Sequence, residues 1–193
     1  MRVYDPRKDG QCGFRAIAHS LGLQSNRRTD SRQDGWYDVR SALVTELQGS
    51  QFPNYHKVFG TKTEYNKALK RLQVPSKSAW VGQDKWMSRC DICQLVPNAY
   101  GRPFIILGED NVTYLPNRNG PQSKGDSWPI VLVFVDNNHW VALEMNAVGG
   151  MIPFPPHMNG WNQAKNTRPE ALKWKEVLQG SFPLWASLEI AQQ

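Results

Sequence analysis

An α+β fold is predicted, with a three-layer α/β/α arrangement as the other reading, and three observations predict it. Apolar residues recur at helical spacing through the first hundred positions. Short apolar runs rich in β-branched residues cluster after position 103. The chain has 193 residues, 40% hydrophobic and 21% charged, enough to bury one core without disulfide staples. This composition excludes wholesale disorder, collagen and low-complexity polymers.

The elements follow in order. Phe14, Ile17, Ala18 and Leu21 form one helical stripe, which Gly22 is placed to stop. Trp36, Val39, Leu43 and Leu47 predict a second helix ending near Gly49. Thr61-Lys62-Thr63-Glu64 matches a capping box, and Tyr65, Ala68, Leu69 and Leu72 follow it at helical spacing. A fourth helix is expected to begin after Asp84 and to end or kink near Pro97. Phe104 to Leu107 and Val112 to Leu115 read as strands, the second more weakly. Ile130 to Val135 reads as a central strand and is the longest apolar run in the chain, far too short to span a bilayer. Asp136-Asn137-Asn138 is turn chemistry, and His139 to Met145 is the returning strand. On that strand His139, Val141, Leu143 and Met145 share one face, and Trp140, Ala142 and Glu144 the other. After Gly149-Gly150 the chain becomes proline-rich, with a short amphipathic helix after Pro169. Trp161, Trp174, Phe182 and Trp185 make this segment apolar enough to pack on the rest. The expected division is a domain over 1–148 and a C-terminal extension over 149–193.

Charge and cysteine content narrow the function classes. Lys and Arg number 23 and Asp and Glu 17, for a net charge of +6. Part of the excess lies between Lys57 and Lys77, with six basic residues against Glu64. A solvated helix face is the expected reading of that stretch. Nucleic-acid binding would require interleaved aromatics, and the stretch offers only Phe59 and Tyr65, so nucleic acid is not an expected partner. Three cysteines, Cys12, Cys90 and Cys93, make no disulfide framework. The residues Met1 to Pro6 lack a signal-peptide apolar stretch, so a cytoplasmic or other reducing intracellular compartment is expected. Cys90-Asp91-Ile92-Cys93 has no second ligand pair for zinc and no thioredoxin-like setting, so helical core cysteines are expected there. No cofactor, no metal and a monomer are expected.

Cys12 carries the chemistry. It follows Asp9-Gly10-Gln11 and opens the first predicted helix, where the helix dipole stabilises a thiolate. Gly10 and Gly13 permit tight backbone and close approach of a substrate. Free N–H groups at this loop-to-helix junction can hold an oxyanion. A nucleophilic cysteine needs a base, and the histidines are His19, His56, His139 and His157. His139, at a turn-to-strand junction, is the best placed.

The run from Asp9 through Cys12 to Ile17 resembles the nucleophile motif of the OTU (ovarian tumour) cysteine proteases, which are mainly deubiquitinases. Asn138-His139-Trp140-Val141 resembles that family's histidine motif. Asp38-Val39-Arg40 resembles its second-helix pattern, and the stretch from Trp80 through Trp86 to Ile105-Ile106 its helix-to-strand segment. The resemblance covers residues 1–146, in order. It implies a papain-like fold with a mostly antiparallel central sheet flanked by helices. It also implies Cys12 as nucleophile and His139 as general base, hydrolysing the bond after the C-terminal glycine of ubiquitin or polyubiquitin through a thioester. Gly10, Gln11 and Gly13 would line the oxyanion loop and cleft, and Asn138 and Trp140 would flank the cleft. The sequence departs from the family at Val141, where many members carry an orienting Asp or Asn, and at Gly13, where a bulkier apolar residue is usual. Asp9 is the first candidate for the missing polar group, either orienting His139 or shaping the oxyanion loop; its other reading is a helix or turn cap. Asn137, Asn138 and a backbone carbonyl are the alternatives. Two other readings of function remain: a catalytically silent ubiquitin-binding module, and a protease for another ubiquitin-like modifier.

Overall fold

The computed structural model describes residues 2–23, 35–49, 55–77, 80–163 and 166–190. The fold is α+β. Its five-stranded mixed sheet contains β1 (Arg2–Tyr4), β2 (Phe104–Leu107), β3 (Val112–Tyr114), β4 (Ile130–Val135) and β5 (His139–Glu144), in the order β1-β5-β4-β2-β3. The β1–β5, β5–β4 and β2–β3 pairings are antiparallel, and β2–β4 is parallel. The sheet is thus mostly antiparallel, as expected. Asp136 and Asn137 both take positive φ and turn β4 back into β5, the type I′ geometry that Asn and Asp tolerate.

Helices α1 (Cys12–Ser20), α2 (Trp36–Gln48), α3 (Tyr55–Val58), α4 (Lys62–Leu72), α5 (Arg89–Ile92) and α6 (Leu95–Tyr100) share the core on one side of the sheet. Every residue of α1 from Cys12 to Ala18 is buried, and the helix packs on β5, β4 and α2. Gly22, at φ +71, stops it. The Gly22 N–H donates to the His19 carbonyl and the Leu23 N–H to the Ala18 carbonyl, at 2.9 and 2.8 Å. This is the paired bonding of a left-handed C-terminal cap. The Glu64 N–H donates to Thr61 Oγ1 at 3.2 Å and starts α4 where the capping pattern placed it.

The expected fourth helix differs. It divides into a 3₁₀ turn (Gln83–Lys85), α5 and α6, and it does not end at Pro97. Pro97 lies in the first turn of α6, where its missing N–H has no intrahelical partner to lose, and Gly101 at φ +60 ends the helix instead. Cys90 is exposed and Cys93 only half-buried, which corrects the expectation of two core cysteines. The four-residue α5 has one inward side, taken by Asp91 and Ile92.

The C-terminal segment builds the other side of the sheet. Ile152, Phe154, Trp161, Ala171, Trp174 and Leu178 form a second core with Ile105, Leu115 and Val131. Its extended run covers the outer edge of β3. The Thr113 N–H donates to the Pro156 carbonyl and the Met158 N–H to the Thr113 carbonyl, both at 2.9 Å. The indoles of Trp161 and Trp174 donate to the carbonyls of Leu115 and Asn119, at 3.1 and 2.9 Å. A short 3₁₀ turn (Pro169–Leu172) and α7 (Lys173–Val177) follow Arg168, and α8 (Ser181–Ile190) ends the described chain. Among the described residues no helix is long and apolar enough to cross a membrane.

The extension is therefore one of the layers that bury the sheet. Trp174 is fully buried, so Trp174→Ala is expected to destabilise the whole chain by about 3–5 kcal/mol. Urea unfolding checks this: a loosely attached tail would leave the main transition where it was.

Candidate active site

The first half of the site is the loop that enters α1. Gly10 takes φ +80, a left-handed conformation that favours glycine, and turns the chain so that Cys12 opens the helix. Asp9 fixes this turn. Its carboxylate accepts the Gln11 N–H at 3.0 Å and the buried Arg15 guanidinium at 2.8 Å. Asp9 is thus a loop-shaping residue. Gln11 precedes the helix with its side-chain carbonyl accepting from Arg40 Nε at 2.7 Å. Cys12 is buried, and its sulfur lies within reach of the backbone N–H of Gly13 and of Trp140, the residue after His139. Helix α1 and strand β5 thus bring the nucleophile motif and the histidine motif together.

The second half is His139, at the start of β5 and 2% exposed. Its Nε2–H donates to Asp5 Oδ1 at 2.7 Å. Asp5 follows β1, which pairs antiparallel with β5 and so carries the carboxylate to the start of that strand. A carboxylate on Nε2 fixes the tautomer in which Nδ1 holds the lone pair and is the nitrogen able to take a proton. Asp5 is the orienting residue that the sequence reading missed. Asp9 does not fill that role because its oxygens are bonded to Gln11 and Arg15. The sequence signal for Asp5 is slight: an acidic residue before Pro6, after a strand of three residues.

The remaining expected residues divide. Asn137 and Asn138 are exposed in the β4–β5 turn, and neither orients the imidazole. Trp140 contributes its backbone at the site, whereas its indole is buried in the core and donates to the Met87 carbonyl at 3.4 Å. His19 stacks on Tyr4 with ring centroids 4.0 Å apart, His56 stacks on Tyr65, and His157 packs with Trp161 and Phe182. Gly13 faces the Met87 side chain, which occupies the space a Cβ at position 13 would enter. The departure at Gly13 thus has a physical counterpart: the bulk absent from position 13 is supplied by Met87.

The electrostatics assign the proton. Burial pushes the Cys12 thiol pKa up, and the nearby Asp9 charge adds to the rise. The N–H groups of Trp140 and Gly13 oppose it. A raised pKa leaves the sulfur protonated at neutral pH, so this thiol could act as a nucleophile only with a base to take its proton. Burial also pushes Cys93 up, to about 11, and three of the six basic residues between Lys57 and Lys77 form ion pairs: Arg71 with Asp91, Lys67 with Glu64 and Lys77 with Asp38.

Two outcomes are expected. With Cys90 and Cys93 replaced by Ser, the rate of Cys12 alkylation by iodoacetamide should rise with pH. Its midpoint should lie above the ordinary thiol value of about 8.5; a midpoint below neutrality would instead mean a standing thiolate. Separately, Gly13→Leu should cost about 1–3 kcal/mol by overpacking. Adding Met87→Ala should recover most of that loss in a double-mutant cycle read by urea unfolding.

No protein-family model matches this chain, and no curated protein matches its sequence.

Proposed function

We propose that the protein is a deubiquitinating cysteine protease of the OTU type, cleaving the isopeptide or peptide bond after the C-terminal glycine of ubiquitin. The observation that carries the reading is the bond from His139 Nε2 to Asp5, on a strand whose next residue, Trp140, offers its backbone N–H to Cys12. A carboxylate on an imidazole beside a cysteine at a helix N-terminus is the arrangement acyl transfer requires. The choice of ubiquitin rests on the likeness of the two motifs, and a reducing intracellular compartment fits a free cysteine nucleophile.

In this reading His139 Nδ1 takes the Cys12 proton as the sulfur attacks the carbonyl carbon. Backbone N–H groups at the start of α1 receive the oxyanion. The imidazolium returns its proton to the departing amine, and Asp5 stabilises the charge in the interval. Water then attacks the thioester. His139 removes its proton, and the sulfur leaves as the restored thiol. Val141 favoured a catalytically silent module when no orienting group was identified. Asp5 supplies that group, so no observation now favours the silent reading.

The test uses ubiquitin bearing a thiol-reactive electrophile at its C-terminus. The wild-type chain is expected to form a one-to-one adduct and Cys12→Ala none. Asp5→Ala should react at least about 10²-fold more slowly, since loss of an orienting carboxylate costs up to about 10⁴-fold. Absence of an adduct, with Cys12 still open to iodoacetamide, would sink ubiquitin as substrate. An unchanged rate for Asp5→Ala would remove Asp5 from the site.

A further inference from the structure

We infer that the indole N–H of Trp86 is a substrate-contacting group, donating a hydrogen bond to a backbone carbonyl of the extended tail that lies beside Cys12. The inference rests on the acyl-transfer reading above and names a contact within it. Residues 80–87 form a wall over the nucleophile loop. Val81 and Trp86 face Gly10, and Met87 faces Gly13, so the wall touches the chain on both sides of Cys12. It is anchored at two points: the Lys85 carbonyl accepts from Arg40 Nη2 at 2.6 Å, and the Met87 carbonyl accepts from the Trp140 indole at 3.4 Å. Trp86 stands between these anchors.

Its polar edge is turned toward the loop. Trp86 Nε1 lies 2.7 Å from the point where a Cβ on Gly10 would stand, and Cδ1 lies 2.9 Å from it. The residue is half-buried, and Nε1 donates to no atom among the described residues. Three other indoles, Trp140, Trp161 and Trp174, donate to carbonyls of the chain, as buried indoles ordinarily do. An indole nitrogen is a donor only, so its partner must be an acceptor. The acceptor that an acyl substrate brings to this place is a peptide carbonyl. Gly10 is two residues from Cys12, and an extended chain advances about 3.3–3.6 Å per residue. The carbonyl that Nε1 reaches therefore belongs to the scissile residue or the one before it.

The test uses the full chain with Cys90 and Cys93 replaced by Ser. A peptide ending in Gly-Gly with a C-terminal aldehyde adds reversibly to Cys12: the sulfur bonds the aldehyde carbon and the thiol proton passes to the oxygen, giving a hemithioacetal. Its binding is read as protection of Cys12 from iodoacetamide. Trp86→Phe keeps the aromatic wall and removes the donor. It should weaken protection about tenfold, the value of one hydrogen bond, while leaving the alkylation rate without peptide unchanged. In the wild-type chain the Trp86 indole proton, identified by its proximity to Gly10 and Val81, should move downfield in the NMR spectrum when peptide is added. This second readout does not depend on the variant folding. Equal protection of the two chains, an unmoved indole resonance, or no protection of the wild type would each overturn the inference. Protection by the peptide without an adduct from the ubiquitin electrophile would instead sink ubiquitin as the substrate and leave the contact standing.

Discussion

The geometry of the site depends on one buried guanidinium. Arg40 on α2 is almost wholly inaccessible and lies over the Phe14 ring at 3.8 Å. Its Nε donates to Gln11 Oε1, its Nη1 to the carbonyls of Arg71 and Leu72, and its Nη2 to the Lys85 carbonyl. These acceptors belong to three separate segments: the residue before Cys12, the last turn of α4, and the turn that leads into Trp86. One planar group thus sets the spacing between the nucleophile loop and the wall that faces it. Burial lowers its pKa to about 9, which still leaves it charged at neutral pH. The two carbonyls at the end of α4 lie at the negative end of that helix, where a cation is favoured. Lysine could not replace it, because a single ammonium cannot reach acceptors in several directions from a fixed plane.

A second polar network carries this order outward. Glu46 on α2 accepts from Tyr55 and from Arg118, both at 2.6 Å, and Asn98 donates to the Tyr55 oxygen at 2.8 Å. Burial, with the Glu46 charge next, drives the Tyr55 pKa upward, so the phenol stays a donor. The network continues from Asn98 to the Asn117 N–H, and from Asn117 to the Asn166 carbonyl and the Arg168 N–H. A buried carboxylate is tolerated where its lone pairs are met, and here each Glu46 oxygen has a donor. The chain of bonds runs from the second helix to the segment that caps the far side of the sheet. Helical layer and C-terminal extension are therefore joined by polar bonds as well as by the sheet between them.

Much of the scaffold was legible because it is periodic. Phe14, Ile17 and Ala18 are fully buried, as the spacing predicts, and so are Val39 and Leu43. Strand β4 and its turn were legible because β-branched runs and Asp-Asn pairs have few other uses. Pro97 misled because proline stops a helix only beyond its first turn, and the start of α6 was not visible in the sequence. Asp5 was illegible for a different reason. It lies 134 positions from His139, at the end of a strand too short to show a period, and its side chain is 60% exposed. Asp9 drew attention because it sits in the motif; the structure gives its oxygens to Arg15, a partner on the next helical turn that no pattern marked. Proximity in sequence marked Cys12 as the candidate nucleophile, whereas sheet topology alone brought in the carboxylate on His139.

That topology gives the site two unequal supports. Cys12 and His139 belong to elements deep in the core, α1 and β5, which pack directly on each other. Asp5 directly follows the edge strand β1, which pairs with β5 over three residues and has no strand on its other side among the described residues. Besides that pairing, β1 is held by Tyr4, which packs against the main core and stacks on His19, and by the exposed contact of Arg2 with Glu144 at 4.0 Å. An exposed ion pair adds little, so the three-residue ladder and the packing of Tyr4 contribute more to the attachment than Arg2 does. Short edge elements with few buried contacts open at lower free energy than the core they rest on. The protein thus holds Cys12 and His139 by global stability, and the tautomer of His139 by local stability. His139 keeps its position from β5 and its tautomer from Asp5, the residue that follows β1.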